Sequence, residues 1–390
     1  MAVVAIAFLT LSVASCNIGA HNQEPVVTSL AAQSVDYLKR GVSPQDLNDA
    51  SLEILSAKGS TLFISTSRST GTATEKSDTD ATRIVSRDPS TDQFQGAVSI
   101  KPSSANHQML NSIEDLEDGY DSTLSQSHSG DIVVSPDGRY ISLVLKPDEL
   151  QRAESRTDQR TYVVVLDTQT GKTVRTAEVS GIVLGQALTN SALAVETAQS
   201  YFPAGSGKGV VSVFSIKDSD ARPSSFSTNQ WLIGASGKSL LLAPDVPPIE
   251  CTRKCTPYTV TRSDIDGHAV DTMPGVTAVH PGGWVSQYKD PKAATDLLQQ
   301  INASRGANNA LVESALNLPK QLVHIDTGRT MDTTSMTVDE RQVPNGPGLV
   351  VYQDVPTGSG STESKPEYWL SAADDGHPHT EDLEQFQEDS

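Results

Sequence analysis

Basic residues are scarce in this sequence, and that shortage limits what the protein can bind. The chain has 29 Lys and Arg residues against 48 Asp and Glu residues, which gives a formal net charge of -19 at pH 7. A chain this acidic repels polyanions, because nucleic-acid binding depends on Lys and Arg side chains that neutralise phosphates. We therefore expect no nucleic-acid partner.

The sequence also lacks the short motifs of common enzymes and nucleotide sites. It contains no Gly-x-Ser-x-Gly string, which excludes the nucleophile elbow of α/β-hydrolases. Its glycine-rich strings with lysine, Gly205–Gly209 and Gly234–Ser239, do not have the spacing of a phosphate-binding loop. We assign no catalytic residue, and we expect no cofactor and no bound metal ion.

Long apolar runs are missing as well, apart from one at the N-terminus. Residues 1–15 (MAVVAIAFLTLSVAS) carry no charge, but they fall short of the roughly 20 residues that a membrane-spanning helix needs. They are typical of the apolar core of a secretory signal. Such signals start with a basic segment, and none precedes this core, which leaves open a translation start upstream of Met1.

The run ends in Val13-Ala14-Ser15-Cys16, and these residues resemble the lipobox of bacterial lipoproteins. In that family the matching cysteine is lipidated and becomes the mature N-terminus, so the resemblance implies lipidation of Cys16. It also implies a protein held at the cell membrane by its lipid anchor and facing the extracytoplasmic side. The alternative is a buried apolar helix that carries an isolated cysteine.

Only two further cysteines are present, Cys251 and Cys255, in the string CTRKC. Prolines flank this string at Pro248 and Pro257, so it lies in a loop. A zinc site would need two more ligands, and no second cysteine pair or histidine pair supplies them. An exported protein favours oxidised pairs, so we expect a local disulfide, with two free thiols as the alternative.

Strand hairpins recur along most of the chain, from Leu52 onward. Thr161–Thr176 (TYVVVLDTQTGKTVRT) reads as two strands joined by a polar turn. The same pattern recurs in Ala81–Ile100, Val210–Ser227, Tyr258–Met273, Gln321–Thr334 and Glu367–Asp382. Each hairpin follows another strand pair, so the repeating unit has four strands and a period of about 45 to 60 residues, which is typical of β-propeller blades.

The polar turn Asp167–Lys172 and the string SPDGRY (Ser135–Tyr140) resemble the PQQ-like, YVTN-like and WD40-like propeller superfamilies. The resemblance covers residues 50–385 and implies an all-β fold, a β-propeller of six or seven four-stranded blades. It implies no particular activity. Six blades are visible in the pattern, and a seventh could lie in Lys101–Ser127.

Several segments depart from the repeat. Residues 1–16 form the signal, and residues 17–49 form a polar linker with one short helix over Val26–Gly41. A small helical insertion occupies residues 290–320, where Asp290 can cap and Pro291 suits the first turn. Its apolar stripes either pack against their own blade or bind a partner. Residues 386–390 are an acidic, solvated tail.

A few residues within the repeat could contact a ligand. Trp231 and Trp284 occupy comparable strands, and they either pack between blades or stack on a ligand near the channel. The turn Ser263–Gly267 resembles a calcium loop but lacks its ligand pattern, so its aspartates are expected to cap backbone groups. His377 and His379 lie in a polar turn, where solvated side chains are expected.

Two functions are compatible with these features. The first is a lipoprotein whose propeller is a non-enzymatic binding or scaffold module for a protein or glycan partner. The alternative is a propeller enzyme, lactonase-like or lyase-like, with its active site at the central channel. Buried carboxylates gathered at the channel would favour the enzyme, whereas a lining of Ser, Thr and Val would favour the binding module.

Overall fold

A computed structural model describes ten stretches of the chain. They are residues 24–41, 50–67, 81–105, 131–146, 160–198, 209–244, 257–303, 317–344, 346–356 and 362–387, the last without positions 373 and 375, together with the single positions 311 and 314. The described residues form strands β1 to β24, one α-helix and three short 3-10 helices.

All strand pairs in the described stretches are antiparallel neighbours, and they group into six units of four strands. Unit 1 contains β2 (Ala50–Ala57), β3 (Ser60–Ser67), β4 (Thr82–Arg87) and β5 (Phe94–Lys101). Unit 2 contains β6 (Ile132–Val134), β7 (Tyr140–Val144), β8 (Arg160–Asp167) and β9 (Thr173–Ser180). Unit 3 contains β10 (Ile182–Leu188), β11 (Ala192–Ala198), β12 (Gly209–Ser215) and β13 (Ser224–Thr228).

The last three units continue the pattern. Unit 4 contains β14 (Trp231–Ala235), β15 (Leu240–Ala243), β16 (Tyr258–Ser263) and β17 (Ala269–His280). Unit 5 contains the second half of β17, β18 (Trp284–Tyr288), β19 (Lys320–His324) and β20 (Thr330–Asp332). Unit 6 contains β21 (Met336–Val343), β22 (Gly346–Pro356), β23 (Thr362–Ser371) and β24 (Pro378–His379). This architecture confirms the predicted all-β class and the repeat of four-stranded units that is characteristic of β-propellers.

Strand β17 is shared, which joins units 4 and 5 into one seven-stranded sheet. Its first half pairs with β16, and its second half, Val276–His280, pairs with β18. Gly275 lies between the halves with a φ of 78°, a conformation that favours glycine. A Cβ at Gly275 would lie 2.6 Å from Cγ of Pro291, so only glycine fits this close approach.

The N-terminal stretch corrects the prediction of a short helix over Val26–Gly41. Strand β1 (Val26–Ser29) pairs with β5 as a fifth strand of the first sheet, and a single 3-10 turn (Ala32–Ser34) follows. The β-branched start of this segment suits a strand, and the open edge of β5 supplies its backbone partners. Arg87 then fixes the segment by donating from Nε to the Leu38 carbonyl at 2.7 Å.

The hydrophobic core lies mainly between consecutive units. Five clusters each combine buried side chains of two neighbouring units, from units 1 and 2 through to units 5 and 6. The first strands also contact one another: β2 contacts β6, β6 contacts β10, and β10 contacts β14, while β2 also contacts β21 and β22. A unit therefore buries its faces against its neighbours rather than within itself.

The turns between first and second strands converge at one end of the molecule. The Lys58 N–H donates to the Gly138 carbonyl at 2.9 Å, which links unit 1 to unit 2. The Asp137 N–H donates to Asn190 Oδ1 at 3.0 Å, and the Asn190 N–H donates to the Gly237 carbonyl at 3.1 Å. These bonds connect units 1 to 4 in chain order through their turns.

Arg175 of β9 is a second type of link between units. Its guanidinium donates to the carbonyls of Asp218 and Ala221, each at 3.3 Å, and to that of Ser219. The same group lies over the Phe214 ring, 5.4 Å from its centroid. Arg175 is only 8% exposed, so its charge is satisfied by the turn of unit 3 and not by water.

The α-helix, α1 (Pro291–Ala303), lies between β18 and β19 within unit 5. The Asp290 carboxylate accepts from the Ala293 N–H at 2.9 Å, as expected of a helix cap. Ala294, Leu298 and Ile301 on this helix are buried. Because this apolar face is already covered by the chain itself, the structure favours the packing role over a partner-binding role.

Candidate functional site

Three of the predicted site residues lie outside the described stretches. They are Cys16, Cys251 and Cys255. Lipidation of Cys16 and a disulfide between Cys251 and Cys255 therefore stay predictions. Within the described part of the chain, no helix combines the length and the apolar character needed to cross a membrane.

The two tryptophans predicted either to pack or to stack on a ligand are both buried. Trp231 is 9% exposed and packs in the core between units 4 and 5. Trp284 is fully buried in the core between units 5 and 6. Its ring meets the His324 ring edge-on, with centroids 4.9 Å apart. The burial favours the packing role, because a stacking surface for a ligand must be accessible.

Two carboxylates lie on or next to the first strands of units 1 and 2. Glu53 is on β2, and Asp131 immediately precedes β6 of the next unit. Desolvation by the surrounding protein, with a smaller contribution from the charge of Asp131, raises the pKa of Glu53 to about 7. The Glu53 residue is nevertheless exposed to solvent in the fold, which limits how strongly desolvation can act on it. A carboxyl group with such a pKa exchanges its proton near neutrality.

A second polar group on the first strands joins units 5 and 6. His280, the last residue of β17, has its Nδ1 3.0 Å from Glu340 Oε1 on β21. Its Nε2 lies 2.8 Å from the Ser286 hydroxyl on β18. The imidazole is thus held between an acid and a hydroxyl, one on each ring nitrogen. No sequence motif marks this group, since Glu340 lies 60 positions after His280 and on another unit.

A cleft of about 650 Å³ opens on the outer side of units 3 and 4. Its walls come from β13 and the turn after it, and from β15, β16 and β17. The lining residues are Phe226, Ser227, Thr228, Asn229, Gln230, Leu242, Thr261, Ser263, Gly267, Ala269 and Thr272. None of these side chains is ionisable, and most carry a hydroxyl or an amide. The cleft can therefore offer neutral hydrogen-bond donors and acceptors beside an aromatic ring.

The walls of the cleft are held by local hydrogen bonds. The Gln230 N–H donates to the Thr228 hydroxyl at 2.9 Å, which fixes the turn after β13. The Ser263 hydroxyl donates to the carbonyl of Asp264 at 3.0 Å and lies 3.2 Å from that of His268. The Asn229 and Thr272 side chains remain exposed at the mouth. Ser227 is exposed as well, so a ligand in the cleft can reach the polar side chains of all three residues.

The turn that resembles a calcium loop is explained by its own backbone. Asp264, Asp266 and His268 lie close together, but Asp264 Oδ1 already accepts the Asp266 N–H at 3.0 Å and the His268 N–H at 2.9 Å. Asp167 caps the corresponding turn of unit 2 in the same way, through the Gln169 and Thr170 N–H groups. Backbone capping is thus the shared role of these aspartates.

The two histidines at the end of unit 6 have protein partners. His379 bonds Asp374 through Nε2, and its Nδ1 lies 2.7 Å from Glu381 Oε1. Partial burial alone would lower the pKa of His379, but the hydrogen bonds to Asp374 and Glu381 outweigh burial and raise it. His377 lies 2.9 Å from the Arg329 guanidinium. The sequence predicted that both imidazoles are simply solvated. The structure corrects this prediction, because each imidazole contacts another side chain.

Comparisons with known proteins found similarity to solved structures alone. No family model matches the sequence, and no curated protein matches it. Among solved structures, the β-propeller domain of the Trilobed protease from Pyrococcus furiosus is 11% identical, with a TM-score of 0.38, covering 83% of this chain and 86% of that one.

Two further solved structures show similar values. The acylaminoacyl peptidase of Pyrococcus horikoshii is 12% identical with a TM-score of 0.39; the match covers 82% of this chain and 45% of that one. Hsv2 from Kluyveromyces lactis is 12% identical with a TM-score of 0.30, covering 87% of this chain and 81% of that one. The chain thus spans less than half of the acylaminoacyl peptidase.

Proposed function

We propose that this protein is a lipid-anchored, six-bladed β-propeller of the cell envelope that binds an uncharged saccharide in the cleft between its third and fourth blades. Each four-stranded unit is one blade. The observation that carries the ligand class is the lining of the cleft, which has hydroxyls, amides and one aromatic ring but no ionisable side chain. Saccharides are recognised by this combination of hydrogen bonds and apolar ring contact.

Two contacts support six blades over seven. The first strands β2 and β6 touch, so nothing separates the inner edges of the first and second blades. A seventh blade built from Lys101–Ser127 would have to insert there. Strand β2 of the first blade also contacts β21 and β22 of the sixth blade, as expected if the sixth blade packs beside the first.

The proposed anchor is attached to the first blade, whereas the cleft belongs to the third and fourth blades. Cys16 precedes β1 by ten residues, which reach at most about 35 Å when extended. The proposed anchor would therefore lie within that distance of the outer edge of the first blade, where β1 pairs with β5. In the proposed ring of six, the border between the third and fourth blades would lie nearly opposite the first blade.

A glycan array tests the ligand class, using the protein from residue 17 onward and including neutral, anionic and peptide ligands. We expect binding to neutral oligosaccharides. Thr272→Trp should abolish it by filling the mouth of the cleft, whereas Thr176→Trp, an exposed threonine on the outermost strand of the second blade, should not. Selective binding to peptides or anions, or equal binding by both variants, would contradict the proposal.

The anchor is tested separately in the native envelope. The parent protein should partition into the detergent phase, because a lipidated N-terminus holds it there. The Cys16→Ala variant should appear in the soluble fraction. If that variant stays in the detergent phase like the parent, the lipid anchor is wrong, and the saccharide site is unaffected by that result.

A further inference from the structure

We propose that Ser286 is a nucleophile, activated by His280 and oriented through Glu340, that accepts the acyl group of small esters. The proposal does not depend on saccharide binding, because this group and the cleft share no residue. It adds a reaction, ester hydrolysis, to a chain whose sequence contains no hydrolase motif.

The geometry assigns a separate role to each ring nitrogen of His280. Nδ1 lies 3.0 Å from the carboxylate oxygen of Glu340, which can only accept, so Nδ1 carries the proton. Nε2 is then left to accept the hydroxyl proton of Ser286 at 2.8 Å. A serine is activated by this arrangement, in which a carboxylate orients an imidazole in a fixed tautomer and the imidazole accepts from the hydroxyl.

The positions of these residues are fixed by regular structure. Ser286 lies opposite Ala278 in the ladder between β18 and β17, and a bulge at Thr277 follows directly. The Thr277 hydroxyl donates to the Ser286 carbonyl at 3.2 Å, which holds the backbone of the nucleophile. Bulges commonly re-aim side chains beside functional sites. Glu340 is supplied by β21 of the neighbouring unit, so the group forms only when units 5 and 6 are packed.

Burial differs across the group in the way that the reaction requires. The His280 side chain is 8% exposed, whereas that of Glu340 is 53% exposed. Ser286 is half-buried. The imidazole is therefore shielded from most water, and a hydrogen bond in such surroundings is stronger than one in solvent. Ser286 itself is only partly covered, and the proposed reaction needs that opening for a small ester to reach its hydroxyl.

The reaction proceeds in two balanced halves. The Ser286 oxygen attacks the ester carbonyl carbon while its proton passes to Nε2 of His280. The bond to the leaving oxygen then breaks, His280 returns the proton to give an alcohol, and Ser286 carries the acyl group. In the second half, water attacks the acyl carbon, His280 takes its proton and returns it to the Ser286 oxygen, and a carboxylic acid leaves. Nothing is oxidised or reduced.

Labelling with diisopropyl fluorophosphate, followed by peptide mass spectrometry of the folded protein, tests this proposal. We expect the adduct on Ser286, with none at that peptide in Ser286→Ala. His280→Gln should slow labelling by about 100-fold or more, the usual contribution of a general base. Ser212→Ala, which removes a half-buried strand serine of unit 3, should label like the parent.

Glu340 is the positioning residue, and its test separates orientation from mere stability. Glu340→Gln should slow labelling by about 10-fold, since a half-exposed carboxylate contributes less than a buried one, and Glu340→Asp should recover most of the rate. Absence of any adduct on the folded parent would overturn the proposal. So would equal labelling rates in the parent and in folded His280→Gln, because the hydrogen bonds would then only connect two units.

Discussion

Replacing Glu53 with glutamine is expected to stabilise the protein at pH 8 and to leave its stability unchanged at pH 4.5. The folded protein raises the pKa of Glu53 from 4.5 to about 7, first by desolvation and then by the charge of Asp131. The folded state therefore holds this proton more tightly than the unfolded chain. The resulting stability is fully present below the unfolded pKa and is lost as the pH rises through about 7.

The magnitude follows from the change in pKa and from the solvent contact of Glu53. A change from 4.5 to about 7 would correspond to about 3 kcal/mol at 1.36 kcal/mol per pKa unit. Glu53 is exposed to solvent, and solvent screening reduces such effects strongly. We therefore expect the free energy of unfolding of the Glu53→Gln variant to be about 1 kcal/mol higher than that of the parent at pH 8, because the variant has no carboxylate to ionise.

Urea denaturation of the parent and of Glu53→Gln at pH 4.5 and pH 8 measures this gain. Glu367→Gln, which changes an exposed glutamate on β23, is the matched control and should behave like the parent at both pH values. An Asp131→Asn variant should show part of the gain, because it removes the smaller cause of the raised pKa. Equal effects of Glu53→Gln at both pH values, or a loss at pH 8, would refute the reasoning.

Three other experiments test the packing of the fold and the predicted disulfide. Arg175→Met should lower the free energy of unfolding by about 2–3 kcal/mol, because three carbonyls lose a buried charged donor. The control is Arg160→Met, which removes an exposed arginine paired with Glu178 and should lower it by less than about 1 kcal/mol. Equal losses in the two variants would argue against the link. Leu298→Ala should lower the free energy of unfolding by about 2 kcal/mol or more, and Leu297→Ala, at a partly buried position of the same helix, by clearly less. A Leu298→Ala melting temperature equal to that of the parent would instead indicate a docking face. Non-reducing mass spectrometry of the exported protein should find the peptide that contains Cys251 and Cys255 two hydrogen atoms lighter than its reduced form. Full alkylation of both thiols in the unreduced protein would contradict the predicted disulfide.

Local signals explain which parts of the fold could be predicted. The turn between β8 and β9 is encoded within six residues, because the Asp167 carboxylate caps its own backbone and Gly171 supplies a φ of 65°. Alternating apolar residues on both sides then identify the strands. The repeat made these hairpins visible several times over, so the fold class was accessible from the sequence.

Features that depend on distant partners were not accessible. Strand β1 was predicted as a helix, because its spacing suited one and its true partner, β5, lies far along the chain. The contact of His280 with Glu340 joins two units and leaves no trace in either local pattern. The cleft has the same character, since its walls come from strands of two units and no single segment has a binding motif.

Hydrogen–deuterium exchange with and without a neutral oligosaccharide selected on the array tests the central claim most directly. The account predicts slower exchange on ligand binding in residues 226–230 and 261–272, which form the walls of the cleft. It predicts no such change along the first strands β2 and β21. Protection confined to those first strands, or no protection anywhere at a saturating concentration of ligand, would contradict the claim that this cleft is the binding site.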